Sequence, residues 1–398
     1  MRYIEKKISG NFTARKMSVA MAVLLFGTIC LLPRAGMAQV SGSCVNCHTM
    51  HNSQGGLSMN ADISGATTGT VYRSLTRSDC VGCHTGTSAN DLTDLGIPKV
   101  NHTVPPSSTL AGGSFYWVGT DNLDANGHNI LGISGVDNAL GIIPPGYPSG
   151  GLPRVQQLTC AGRMGCHGNR TIADEYASIS GSHHAPKQYA NGYKDGLTPV
   201  VGSDSSVGNS YRFLLAIKGI GDPLWEKNPS ATTHNQYYGG ARTTDDVNDY
   251  QTISRFCGKC HYDFHASLSA HDDTSAPTVG ISYANNMTSP WIRHPTDFDM
   301  NTVKAKEYGA YGGGVIGTGG GAYVPQAPVA SNFLDETSVP KAVVMVAAGD
   351  AIVTCISCHR AHGSDQPDML RWNYSKMKAH QTTTGNTGCF TCHTTKDT

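Results

Sequence analysis

Five times the chain reads cysteine, two residues, cysteine, histidine: Cys44-Val-Asn-Cys47-His48, Cys80-Val-Gly-Cys83-His84, Cys257-Gly-Lys-Cys260-His261, Cys355-Ile-Ser-Cys358-His359 and Cys389-Phe-Thr-Cys392-His393. With 13 cysteines and 17 histidines among 398 residues, such a string does not recur by chance. Two thiols at this spacing sit on one short turn, at the separation of the two vinyl groups of a haem. A histidine directly after them drops beneath the ring to bind iron. Zinc also takes paired cysteines, but it does not require a histidine after every second one. The spacing predicts covalently held c-type haem.

A sixth string is expanded. Cys160-Ala-Gly-Arg-Met-Gly-Cys166-His167 places five residues between its cysteines but keeps the Cys-His adjacency. Gly162 and Gly165 would let the extra residues bulge while the sulfurs still reach the ring. The alternative is a disulfide between Cys160 and Cys166, with His167 incidental. Six haems are expected, or five if this site holds none.

The second axial ligand separates electron carriers from catalysts. Beyond the six motif histidines the chain has His51, His102, His128, His183, His184, His234, His265, His271, His294, His362 and His380, enough for two histidines on every iron. His51 and His362 follow a motif histidine by three residues, and His265 follows His261 by four. So short a segment cannot reach round the ring, so each must serve a different haem, which implies haems packed as close neighbours. His102 lies before a Pro-rich loop, His128 precedes the expanded motif, and His294 is held by Pro295. His183 and His184 are adjacent and compete for one role. His234, His271 and His380 read as solvated surface histidines.

Residues 1–38 read as a secretory signal: Arg2, Lys6, Lys7, Arg15 and Lys16, then an apolar stretch from Val19 to Leu32, then Ala35-Gly36-Met37-Ala38. The alternative is an uncleaved anchor, although Pro33 and Arg34 follow the apolar run closely. Cleavage after Ala38 removes Cys30 and leaves twelve cysteines. It also leaves 23 Lys and Arg against 28 Asp and Glu in the remainder, a balance that argues against nucleic acid as a partner. With 47 glycines and 8% aromatic residues, the rest has few long periodic stretches. The expectation is one elongated domain over 39–398, mostly coil with little β. Short helices stand at the motifs and the haems take the place of an aliphatic core. Gln251 to Leu268 is the best longer helix, and the glycine tract Tyr308 to Val324 is either a loop or a close-packed surface.

Cys44 to Met59, Phe256 to His265, Ile292 to Pro295 and Cys355 to Gly363, in that order, resemble the outer-surface hexahaem cytochromes of metal-reducing bacteria, the OmcS type. The resemblance covers most of the chain after residue 38. It implies bis-histidine irons, with His102, His128, His294 and His362 at positions of distal ligands. It also implies polymerisation into extracellular filaments with one ligand, here His51, crossing to a haem of the next subunit. Electrons would pass to other redox proteins and to extracellular acceptors such as metal oxides or electrodes. The expanded Cys160 to His167 site departs from the family pattern. Two other functions compete: a monomeric periplasmic or cell-surface carrier, and a reductase acting on a small molecule such as nitrite. The reductase needs an open iron position, often marked by Lys in place of a motif histidine, and no motif here has one.

Overall fold

The computed structural model describes residues 42–54, 71–147, 156–184, 207–240, 251–261, 294–304, 308–314, 320–334, 340–378 and 388–394, with a few isolated residues between. The chain divides into Met1–Met37, outside the described residues, and Ala38–Thr398. His265, His271 and His380 also lie outside the described residues.

Regular structure is sparse. Among the described residues the helices span one to two turns, including Cys80–His84, Glu175–Ser178, Ile253–Gly258, Cys355–Cys358 and Cys389–Cys392. Strands are two or three residues long and pair two at a time, such as Phe298–Asp299 antiparallel to Ile352–Val353, or Thr85–Gly86 parallel to Asn101–His102. The chain is mostly coil with its helices concentrated at the cysteine motifs, the fold class the sequence predicts. Among the described residues no helix is long and apolar enough to cross a membrane.

The helices form where a cap meets a motif. Asp79 accepts from Gly82 N at 2.6 Å just before Cys80. Thr252 accepts from Arg255 N at 3.2 Å before Cys257. Thr354 and Ser357 cap reciprocally around Cys355. Each satisfies an amide that a first turn leaves open. Of the helix expected from Gln251 to Leu268, the described residues show Ile253–Gly258, which runs into the motif, where Cys257 O accepts from Cys260 N and His261 N; most of 262–268 lies outside the described residues.

Buried apolar residues fall into separate small clusters, and three of them end at motif cysteines. Tyr211, Leu214, Ile217, Tyr237, Ile253 and Ile352 pack against Cys166. Met300, Tyr311, Tyr323, Val329 and Val353 pack against Cys392. Phe115, Val118 and Ile130 pack against Cys160. An aliphatic core interrupted at the cysteines is what a chain wrapped round covalently held rings requires. The described part of the glycine tract is close-packed: Tyr311 is fully buried, its hydroxyl donates to Ala327 O at 2.8 Å, and Gly321–Ala322 pairs with Val343–Val344.

A candidate row of haem sites

The regular motifs share one backbone device. His48 N donates to Cys44 O at 2.8 Å, His261 N to Cys257 O at 3.0 Å, His359 N to Cys355 O at 3.1 Å and His393 N to Cys389 O at 3.0 Å; Cys80–His84 forms the same turn as a helix. The bond ties the histidine to the first cysteine and puts both thiols on the same short turn. The expanded motif reaches a similar end by a different path. Thr159–Ala161 and Gly165–His167 pair in parallel, and Gly162 N donates to His167 O at 3.1 Å. Gly162 has φ +79°, and a Cβ there would lie 2.9 Å from Ala173 O. A Cβ on Gly165 would overlap the Ala161 backbone. Both glycines are therefore required for the bulge. Cys160 and Cys166 are not joined in a disulfide.

Backbone carbonyls fix the tautomer of most motif histidines. Nδ1 faces Ser74 O at 3.0 Å for His48, Pro98 O at 2.8 Å for His84, Arg212 O at 3.0 Å for His167, Pro145 O at 2.8 Å for His261 and Asp368 O at 2.6 Å for His359. A carbonyl can only accept, so Nδ1 carries the proton and Nε2 keeps its lone pair for a metal. In three of these the carbonyl belongs to a residue in the left-handed region: Ser74 at φ 58°, Arg212 at 49° and Asp368 at 58°, each followed by a second such residue. The following amides complete a repeated clasp: Thr49 N donates to Leu75 O, Gly168 N to Phe213 O and Arg360 N to Met369 O, all at 2.8 Å. These clasps hold the first, third and fifth motifs. The second and fourth motif histidines rest on prolyl carbonyls instead.

Opposite five of the six motif histidines stands a second histidine. Ring centres are 6.0 Å apart for His48 and His184, 6.3 Å for His84 and His183, 6.4 Å for His167 and His362, 6.1 Å for His128 and His261, and 6.2 Å for His294 and His393. Metal–imidazole bonds of about 2.0–2.1 Å, with the ring radius added, put two imidazoles on opposite faces of one ion about 6.3 Å apart. The donor set and its spacing fit bis-histidine haem, and at the expanded motif as well as at the regular ones. Burial lowers His183 to about 4 and His362 to about 3, which keeps both rings in the neutral form that offers a lone pair. Bound there, haem iron would supply one-electron chemistry.

The distal histidines are positioned in pairs. His183 and His184 share the turn Ser182–His184, and their rings face the histidines of different motifs, His84 and His48. His128 and His362 are held by one strap: His128 Nδ1 donates to Ala361 O at 2.7 Å, Ser364 N donates to Asn126 O at 2.9 Å, and Gly127 bridges to Gly363. His294 Nδ1 donates to Pro295 O at 2.9 Å.

Motif cysteines adjoin in chain order. The thiols of Cys47 and Cys83 are neighbours, as are Cys80 and Cys160, Cys166 and Cys257, Cys257 and Cys355, and Cys358 with Cys389 and Cys392. Neighbouring thiols thus link successive motifs in chain order, from the first to the sixth.

Three described histidines stand apart from this scheme. His102 is not brought to a motif histidine: it is fully buried, Nδ1 meets Ser114 Oγ at 2.9 Å, and Nε2 meets Asn90 O at 3.2 Å. The nitrogen a metal would need is spent on a carbonyl. His234 is buried, not solvated as the sequence predicts. It stacks on Tyr323 at 3.4 Å and both its nitrogens face carbonyls, of Asn235 and Lys341. Its place in the polar run Ser230-Ala-Thr-Thr-His234-Asn-Gln236 gives no sign of this. His51 is exposed, and among the described residues no histidine ring faces it or His359.

The repeated cysteine turns, the carbonyl-locked imidazoles and the facing histidines define a multihaem c-type cytochrome. Residues 345–398 match the doubled CXXCH motif family, which covers the fifth and sixth motifs as one unit. The chain is 27% identical to the c-type cytochrome OmcS of Geobacter sulfurreducens, over 90% of this chain and 84% of OmcS. In sequence it is similar to cytochromes of the OmcS type. Two solved structures are also similar: the outer membrane cytochrome S filament of Geobacter sulfurreducens (18% identity, 87% of this chain and 88% of that one, TM-score 0.42), and the OmcS nanowire of the same organism (21%, 86% of each, TM-score 0.46).

Proposed function

We propose that the chain holds six bis-histidine haems in a row and conducts electrons along it as the subunit of an extracellular filament. The motif cysteines and histidines hold the rings. His184, His183, His362, His128 and His294 complete the first, second, third, fourth and sixth irons. The chain's own part is to keep each imidazole neutral, aimed and packed beside the next site, because electron tunnelling falls steeply with distance.

The observation that carries the polymer is the fifth motif. His359 has no facing histidine among the described residues, while His51 is exposed and faces none. His362 stands three residues past the fifth motif histidine and faces the third, two sites back. His51 stands at the same offset past the first motif. Two sites back from there is the fifth site of a preceding copy, whose histidine no other histidine faces among the described residues. Relatedness to OmcS, solved as a filament, supports the same reading, as does the basic and apolar start of the chain for export. Minerals, electrodes and other redox proteins are the acceptors and donors that suit such a conduit.

Replacing His51 by Ala tests this. The expected result is soluble protein with a full haem complement, one high-spin haem and no filaments under the electron microscope. Filaments of normal length from this variant would overturn the cross-subunit ligand.

A further inference from the structure

One half-buried carboxylate lies against the motif thiols. Glu175 opens the turn Glu175–Ser178, and its carboxylate oxygen lies within 4.8 Å of both Cys80 Sγ and Cys160 Sγ, which lie equally close to each other. These sulfurs belong to the second and third motifs, so Glu175 sits at the junction of two sites. It is anchored to both sides. Its Oε2 accepts from Ala161 N at 3.3 Å, next to Cys160. Tyr176 donates its hydroxyl to Ser78 O at 3.2 Å, two residues before Cys80. Asn169 N donates to Ser178 O at 2.9 Å, tying the turn to the chain just past His167.

Two other carboxylates are close, but each is engaged. Asp79 caps Gly82 N, and Asp174 caps Ala177 N at 2.8 Å while pairing with Arg73 at 3.0 Å. Glu175 is held by backbone amides instead of a cation. A negative charge fixed beside a poorly solvated redox centre disfavours the added electron, and does so more strongly the drier the site.

We propose that the Glu175 carboxylate lowers the reduction potentials of the second and third haems together, so that an electron at their junction is less stabilised than it would be without the charge. The proposal rests on haem at both the Cys80 and the Cys160 motifs. No bond is made or broken: the electron arrives from one neighbour and leaves to the other, and the carboxylate sets the level it passes through.

The test is a spectroelectrochemical titration of intact holoprotein at neutral to alkaline pH, with haems counted by mass, for wild type, Glu175→Gln, Glu175→Asp and Asp174→Asn. In Glu175→Gln, two of the haem components are expected to shift upward, each by about tenfold in its one-electron equilibrium, or about 59 mV. The remaining components stay in place, and Asp174→Asn leaves the pair where it was. If Glu175→Gln attaches haem incompletely, Glu175→Asp draws the charge back from the sulfurs and is expected to move the same two components less. Six haems with unshifted components in the glutamate variants overturn the proposal alone. A wild-type count of five, with Cys160 and Cys166 unmodified, overturns it through the six-haem reading on which it rests.

Discussion

The carbonyl of Asp368 accepts the Nδ1 proton of His359 at 2.6 Å from a backbone at φ 58°. Asp368 and Met369 both occupy the left-handed region, as do Ser74 with Leu75 and Arg212 with Phe213. In every case the first residue's carbonyl takes the motif imidazole and the second takes the next backbone amide. A left-handed residue other than glycine costs about 1–3 kcal/mol. Three repeats of the same costly pair at three motif histidines mark the conformation as one that serves the ligand.

A β-branched residue tolerates that conformation worst. Asp368→Val is therefore expected to destabilise the holoprotein by about 1–3 kcal/mol and to change the low-spin signal of a single haem. Asp368→Gly is expected to leave that signal in place. Thermal unfolding and electron paramagnetic resonance read the two effects separately, and a Val variant with an unchanged spectrum would remove the clasp from any positioning role.

The angles between facing imidazoles make a second spectroscopic prediction. His294 and His393 cross at 80°, whereas the other four pairs lie between 32° and 51°. Crossed axial planes leave two iron d orbitals nearly degenerate and give a strongly anisotropic low-spin signal, while planes closer to parallel give a rhombic one. The sixth site should supply a large-g component, and His294→Met should abolish that component alone. Loss of a rhombic component instead would mean that His294 serves another iron.

Much of this was legible in the sequence because covalent attachment is local. Cys80 to His84 names its cofactor within five residues, and short helices at such strings follow from it. His362 is also legible by exclusion, since it cannot serve its own ring. The partner it does serve depends on the strap between Asn126 and Ser364, which joins residues more than 200 positions apart, and no local pattern reports that. His183 and His184 read as rivals in the sequence because adjacency along the chain does not reveal that a tight turn sets them against different motif histidines. His102 has the composition of a ligand, but Ser114 and Asn90 take its nitrogens from elsewhere in the fold. The clasps were invisible for a related reason: Ser74, Arg212 and Asp368 are ordinary residues whose conformation is imposed by what they hold.

That strap yields a third prediction. Gly363 has φ +154°, and a Cβ there would stand 2.7 Å from both Ser114 O and Asn126 O. Gly363→Ala must push the segment carrying His362 away from residues 126–128, which carry the other ligand. It is expected to cost about 1–3 kcal/mol and to convert both the third and fourth haems partly to high spin. An optical high-spin band equivalent to one haem, or none, would show that the two ligands are not held together.

The expanded motif gives the last prediction, because its bulge depends on the absence of a side chain. Gly165 lies so close to the Ala161 backbone that any Cβ would overlap it, and moving either strand separates Cys160 from Cys166. Gly165→Ala is expected to lose the third haem while the other sites fill, so the intact mass falls by one haem and two thiols become available to alkylation. Gly135→Ala, where a Cβ meets nothing within 4 Å, is the control and should keep the full complement. If Gly165→Ala retains the wild-type mass, the bulge is not what presents these two sulfurs. If the wild type itself carries two alkylatable thiols at Cys160 and Cys166, the row is broken between its second and fourth sites, and conduction through it must cross that gap in a single longer step.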